Sequence, residues 1–213
     1  FRGFESYWEI PADAETAVNG RWQAGPGIAL FDAMQQAGLF EGNNDGAPKI
    51  IAEDLGILTP EVVTLRQTVG LPGMRILQFA FDGHSDNSYL PHNFEPNTVV
   101  YTGTHDNDTS IGWWHSLDAH HQDYVRRYLD TDGTAIHWAL IRAASASVAS
   151  ISIAPMQDVL GLDTPCRMNQ PGQGRDNWEW RFQWQQVEPW HAGRLADLAR
   201  LHGRRSDSPV PKF

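Results

Sequence analysis

The chain has 213 residues, which suits one large domain or two small ones, and a hydrophobic content of 41% allows a substantial core. A net charge of −10, from 16 Lys+Arg against 26 Asp+Glu, argues against a nucleic-acid partner, whose phosphates call for a basic face. No apolar run reaches the roughly 18–20 residues that a bilayer span needs, so no membrane partner is expected, and the single Cys166 excludes an internal disulfide and points to a reducing compartment or to indifference about redox state; the location expected is cytoplasmic, or a plastid if the source is a plant.

In chain order, residues 1–25 read as a loop punctuated by Pro11, Gly20 and Gly25. The start, FRGFESYWEIPADAE, has no cationic leader followed by an apolar stretch, so it is not expected to be a secretory signal or a natural amino terminus. Residues 26–39 place Ile28, Leu30, Phe31, Met34 and Leu39 at helical spacing behind Pro26. A turn cluster, Gly42, Asn43, Asn44, Asp45 and Gly46, precedes an apolar strand from Lys49 to Ala52 that runs out at Glu53. Thr59, Pro60 and Gly70 then mark the cap, first turn and end of a helix whose apolar stripe is Val62, Val63 and Leu65. MRILQFAF, residues 74–81, reads as a buried strand, followed by a polar loop containing Asp82.

The strand Thr98–Tyr101 leads through Thr102-Gly103-Thr104-His105 to Asp106. Helices are expected after Thr109, through Trp113-Trp114, and at about 121–129 and 134–147. VASISIA, residues 148–154, reads as a last strand, and a Gly/Pro-rich loop around 163–177 precedes an aromatic stretch and a final helix near 191–202. Four strands alternating with helices predict an α/β fold with a parallel sheet: half of a (β/α)8 barrel, which needs eight strands. Residues 1–213 are therefore expected to form half of one barrel domain, and the family resemblance described below implies that it is the carboxyl-terminal part of a catalytic barrel. The 9 tryptophans exceed what such a core usually needs; apolar faces of sugar rings stack on aromatic rings, although core packing suits most of the nine.

Acids at the carboxyl ends of successive strands are where a parallel barrel puts its chemistry. Retaining cleavage of a glycosidic bond needs one carboxylate to attack and a second group to protonate the leaving oxygen. That second group must carry its proton near neutral pH, which burial or an adjacent negative charge favours. Glu53 meets the requirement in sequence, with an apolar run before it and Asp54 beside it. A third acid can stabilise the oxocarbenium-like transition state, and Asp106 suits that role, flanked by His105 and Asn107, which can hydrogen-bond a sugar. Blander readings stand beside these: Glu53 as a turn cap or a partner of Lys49, and His105, Asp106 and Asp108 as a turn or cation site, for which no third cluster supplies ligands. Neither a G-x-S-x-G elbow nor a phosphate-binding G-x-x-x-x-G-K-[ST] loop is present.

Four long collinear fragments carry a specific resemblance: FRGFESYWEIPADAETAVNGRWQAGPG, IIAEDLGILTPEVVTLRQTVGLPGMRILQFAF, YTGTHDNDTSIGWW and RMNQPGQGRDNWEWR. Together they resemble the 4-α-glucanotransferases called amylomaltases or disproportionating enzymes, glycoside hydrolase family 77. The resemblance implies a (β/α)8 barrel that cuts an α-1,4-glucan and passes the piece to the 4-hydroxyl of an acceptor sugar, with no cofactor and no metal. It implies that Glu53 is the acid/base, Asp106 the transition-state stabiliser, and His105 a ligand of the sugar at the cleavage point. Asp82 is similar to an acid binding a donor-side sugar hydroxyl, and Asn177 resembles a residue of a loop lining the cleft, or is a simple turn asparagine. The family's nucleophile is an Asp in an R-x-D-H-F-R-G-F motif of which Phe1-Arg2-Gly3-Phe4 is the tail, so it is expected two positions before Phe1. The partners so implied are a maltooligosaccharide or α-1,4-glucan and the missing amino-terminal half of the barrel. Rival readings are a non-catalytic glucan-binding half-barrel and an α-glucan hydrolase of the same clan.

Overall fold

The computed structural model describes residues 1–40, 50–56 and 58–204. The turn cluster at 42–46, and with it Lys49, lies outside the described residues. Contacts divide the chain into two units, Phe1–Met74 and Arg75–Phe213.

The first unit opens with an antiparallel hairpin rather than the expected loop. Strands β1 (Ser6–Glu9) and β2 (Arg21–Ala24) pair with Trp8 opposite Trp22. The two indoles meet edge to face at 5.4 Å, and the Arg2 guanidinium lies 4.6 Å from the Trp22 ring. Cross-strand aromatic contacts of this kind stabilise a hairpin despite its solvent exposure, and with a run this short between many turn residues the alternation is easily missed. Helix α1 (Gly27–Gln36) follows as expected, and α2 (Pro60–Val69) starts and stops where Pro60 and Gly70 predict. Gly70 takes the left-handed conformation (φ 78°) that ends a helix without a side-chain clash. Phe31, Ala52 and Leu71 form this unit's core, with Phe1, Met34, Ile50, Leu65 and Val69 packed around them.

The second unit holds a three-stranded sheet ordered β3 (Gly73–Ile76), β4 (Thr98–Tyr101), β5 (Ile151–Ile153), its first strand beginning just before the division. β4 and β5 run parallel, with Val99 opposite Ile151 and Tyr101 opposite Ile153. Between them come α3 (Ser110–Ser116), α4 (Ala119–Leu129) and α5 (Ile136–Ala146); α6 (Met156–Leu160) and α7 (Pro189–Leu201) follow β5. Thr109 and Asp118 cap α3 and α4 by accepting from Gly112 N and His121 N. The core gathers Leu77, Phe81, Leu90, Val100, Trp114 and Leu140, among others.

Two expected strands come out differently. MRILQFAF is a strand only to Ile76; its remainder, Leu77–Phe79, turns as a 3-10 helix that still buries Leu77. The segment before Glu53 is extended chain, not a strand: its Ala52 N donates to the Pro72 carbonyl at 2.9 Å. Among the described residues the architecture is α/β, with a three-stranded sheet and a separate two-stranded hairpin where four parallel strands were expected. Apolar runs identify buried chain, but only backbone pairing makes a strand.

Candidate active site

Glu53 belongs to the first unit. Exposure alternates along its segment: Ile51 is 40% exposed, Ala52 is 2%, Glu53 is open to solvent and Asp54 is 2%. That period of two is what extended chain imposes. It turns Asp54 inward, where Oδ1 accepts from Met74 N at 2.6 Å and Oδ2 lies 3.2 Å from Nε of the buried Arg66. Arg66 in turn donates to the Leu71 carbonyl at 2.9 Å. A Cβ on Gly73 would strike the Asp54 carboxylate, so the glycine makes room for this pair. Asp54 therefore does not crowd Glu53 with negative charge, as its adjacency in sequence suggests; it anchors the backbone that presents Glu53. The preceding apolar run does not enclose Glu53 either. The Phe1 nitrogen donates to the Glu53 carbonyl at 2.7 Å.

The second unit sets His105 and Trp178 in the lining of a cleft of about 210 Å3, with Asp106 and Asn177 each next in sequence to a lining residue but outside the lining themselves. The lining includes Thr104, His105, Asp108, Asp158, Arg167 and Trp178. β4 delivers the chain to this point, and the turn after it is held from within: Thr104 N and Oγ1 both donate to Asn107 Oδ1 at 2.9 Å. The Asn107 carbonyl oxygen is thus spent on the turn rather than offered to a sugar. His105 and Asp106 project beyond it, half exposed, with Nε2 3.5 Å from Oδ2.

The later loop meets them. Asn169 Nδ2 donates to Asp106 Oδ1 at 2.6 Å, Arg167 Nη2 donates to the Asp106 carbonyl at 3.0 Å, and Asn169 N donates to the His105 carbonyl at 3.2 Å. Trp178 lies against the His105 ring at 4.8 Å between centroids. The Trp178 backbone is left-handed (φ 66°), unusual for a bulky residue, and it is held there by Trp178 N donating to the Met168 carbonyl at 2.7 Å. Asn177 secures the loop below it: its Oδ1 accepts from Gln170 N at 2.8 Å and its Nδ2 donates to the Gln173 carbonyl at 2.9 Å. Trp178 is one of the tryptophans whose abundance suggests sugar stacking, whereas Arg167 and Asn169, in the same RMNQPGQGRDNW stretch, are not singled out by the sequence. Polar and aromatic residues in a Gly/Pro-rich loop were the available signal.

Asp82 stands outside the residues lining this cleft; its Oδ1 accepts from His84 N at 3.0 Å in a local turn, and the residue is exposed. Asp108 accepts from Thr164 Oγ1 at 2.9 Å and lies 4.0 Å from Arg167 Nη1. Among the described residues there is no group of three or more His, Cys, Asp or Glu side chains placed to hold a metal ion. Nor is any described helix long and apolar enough to cross a membrane.

Residues 1–186 match the sequence profile of glycoside hydrolase family 77, described as 4-alpha-glucanotransferase. A 4-alpha-glucanotransferase of Synechocystis sp. is 48% identical over 207 residues, covering 96% of this chain and 40% of the relative. That of Thermus thermophilus is 45% identical over 212 residues, and the chloroplastic/amyloplastic enzyme of Arabidopsis thaliana is 47% identical over 209. Among solved structures, the amylomaltase of Streptococcus agalactiae in complex with acarbose superposes with a TM-score of 0.87 at 33% identity, over 95% of this chain and 40% of that one. Corynebacterium glutamicum amylomaltase shares the fold, with a TM-score of 0.71 at 16% identity. The chain spans 35–41% of the length of these 4-alpha-glucanotransferase relatives. A sequence profile that runs collinearly through the Glu53 segment, the His105–Asp106 turn and the Asn169–Trp178 loop leaves one conclusion: the chain belongs to the 4-alpha-glucanotransferase family, glycoside hydrolase family 77.

Proposed function

We propose that this chain supplies the acid/base and the transition-state-stabilising half of a 4-α-glucanotransferase acting on α-1,4-glucans. The observation that carries the reading is the constellation at the cleft: a carboxylate, Asp106, fixed by Asn169 beside an imidazole, His105, with an exposed indole, Trp178, next to it. An aromatic face beside a fixed carboxylate suits a sugar ring that gains positive charge as its glycosidic bond breaks. In this reading Asp106 stabilises that charge and His105 holds the reacting sugar. Glu53 protonates the leaving oxygen and later activates the acceptor hydroxyl. Asp82 binds a hydroxyl further along the donor, and Asn177 acts through the loop that carries Trp178.

Retention requires a nucleophile about 5–5.5 Å from the acid/base carboxylate. We assign it to an Asp two positions before Phe1, in the other part of a (β/α)8 barrel whose carboxyl-terminal portion is residues 1–213. The share of the Synechocystis relative that this chain covers, 40%, supports a further part that carries this residue. The partners are then a maltooligosaccharide or longer α-1,4-glucan and the remainder of the barrel, in the cytoplasm or a plastid.

The test is a disproportionation assay on a full-length enzyme containing this chain, with maltotriose as both donor and acceptor. Glucose together with maltooligosaccharides longer than the substrate is the expected product set. Hydrolysis products alone would make the protein a hydrolase of the same clan, and binding without turnover would make it a glucan-binding protein.

A further inference from the structure

Asp158 makes no direct contact with His105 or Asp106 in the constellation above, yet at 1% exposure it is among the most deeply buried polar residues of the chain. It projects from the short helix α6, and its carboxylate receives three donors from a different part of the fold. Oδ2 accepts from Thr102 Oγ1 at 2.5 Å and from Ser110 Oγ at 2.7 Å, and Oδ1 accepts from Ser110 N at 2.7 Å. Thr102 and Ser110 are themselves fully buried. Thr102 is the first residue after β4 and Ser110 the first of α3, so one carboxylate joins the two ends of the loop that carries His105 and Asp106.

Burial works against this carboxylate. It pushes the Asp158 pKa up, and the nearby Asp108 charge pushes the same way, while the three hydrogen bonds oppose both. An apolar side chain filling the same space would avoid that desolvation, and buried ionic groups are often replaced by apolar ones at no loss of stability. What an apolar residue does not provide is a fixed separation between Thr102 and Ser110. The far side of the loop is already gripped: Arg167 and Asn169 hold the Asp106 carbonyl and carboxylate, and Gln78 Nε2 donates to the Asp108 carbonyl at 2.8 Å.

We propose that Asp158 is a positioning residue for glucan transfer: by tying Thr102 to Ser110 it sets the span of the 102–110 loop and thereby the placement of His105 and Asp106 against the sugar. The assignment rests on the roles given to those two residues above. Positional errors of about 1 Å in a reacting constellation can cost a hundredfold in rate, so the brace acts on turnover more than on ground-state affinity.

The experiment uses a full-length enzyme containing this chain and four variants: Asp158→Ala, Asp158→Asn, Asp106→Asn and the double Asp106→Asn/Asp158→Ala. Transfer is measured with maltotriose and with α-glucosyl fluoride, and hydrogen exchange is followed along residues 102–112. Asp158→Ala should lower kcat at least tenfold on both donors with KM changed less than threefold. It should also speed exchange of the loop amides at least tenfold while the rest of the second unit keeps its protection. Asp158→Asn, which keeps an acceptor for Ser110 N, should recover most of both losses. Because Asp158 acts through the loop that carries Asp106 as well as His105, the double variant should be less impaired than the product of the two single losses; losses that simply multiply would overturn the proposal. If Asp158→Ala does not fold, Thr102→Val removes one of the three bonds at nearly constant volume and should show the same pattern at smaller size. A wild type that makes no transfer products defeats the functional reading of the preceding section, not the brace; the exchange arm then decides alone, and unchanged protection in residues 102–112 overturns it.

Discussion

At the residue scale the two acids make separable demands. Glu53 is open to solvent on a backbone anchored by Asp54 and Arg66, so changing its side chain leaves that anchor in place. Glu53→Gln in a full-length enzyme is expected to lower transfer from maltotriose by about 10²–10⁴-fold, the usual worth of a general acid. Transfer from α-glucosyl fluoride, whose leaving group needs little protonation, should be largely spared. Equal loss on both donors would assign Glu53 to structure instead. Asp106→Asn should reduce kcat on both donors by roughly 10²–10³-fold, as loss of a group aimed at developing charge does. Its side chain is 53% exposed, so the melting temperature should move little. A variant that melts early but turns over normally per folded molecule would refute the role, and recovery of chelated enzyme by calcium would favour an ion site at His105–Asp106–Asp108.

At the scale of elements, the side of α5 that packs against α7 carries a pH dependence. His137 is held neutral there, its pKa lowered to about 4 by burial and then by the Arg194 and His191 charges. The next residue, Trp138, is covered by the Arg194 guanidinium at 4.5 Å and by Trp190 of α7. Because folding favours the neutral imidazole, its stabilising share is intact above the ordinary value of 6.5 and is lost as pH falls from there through about 4. Thermal melts across that window should show falling stability, and His137→Gln should flatten the trend; an identical pH profile in the variant would remove His137 as its source. Helix α2 was legible in sequence because its signals are local, with Thr59 and Pro60 at its start and Gly70 at its end. The hairpin β1–β2 and the end of β3 at Ile76 were not, since pairing across the chain decides them. The same holds at the site. Glu53, His105 and Asp106 stand in contiguous motifs, whereas Asn169 and Asp158 act across 63 and 56 residues and leave no local pattern.

For the whole molecule, β5 is an edge of the three-stranded sheet and leaves Ile151 43% and Ile153 36% exposed. Apolar side chains on an open edge invite association. Residues 1–213 expressed alone are therefore expected to aggregate and, on the assignment of the nucleophile proposed above, to lack maltotriose disproportionation, since a retaining site without its nucleophile keeps only residual catalysis. Adding the separately expressed preceding part of the protein should restore transfer if the two dock. Robust transfer by the isolated chain would mean that a nucleophile lies within it.

The Asp158 brace also bears on when the site comes into being during synthesis. Asp158 is translated 56 residues after Thr102 and 48 after Ser110, so a nascent chain that has already exposed the His105–Asp106 turn still lacks the carboxylate that joins its ends. The turn waits for α5, β5 and α6 to emerge and dock, a long-range closure whose entropy must be met before its bonds form. The constellation is accordingly among the last features of this unit to mature, and a ribosome-bound chain stalled before α6 would hold a loop of the right sequence with its span not yet set.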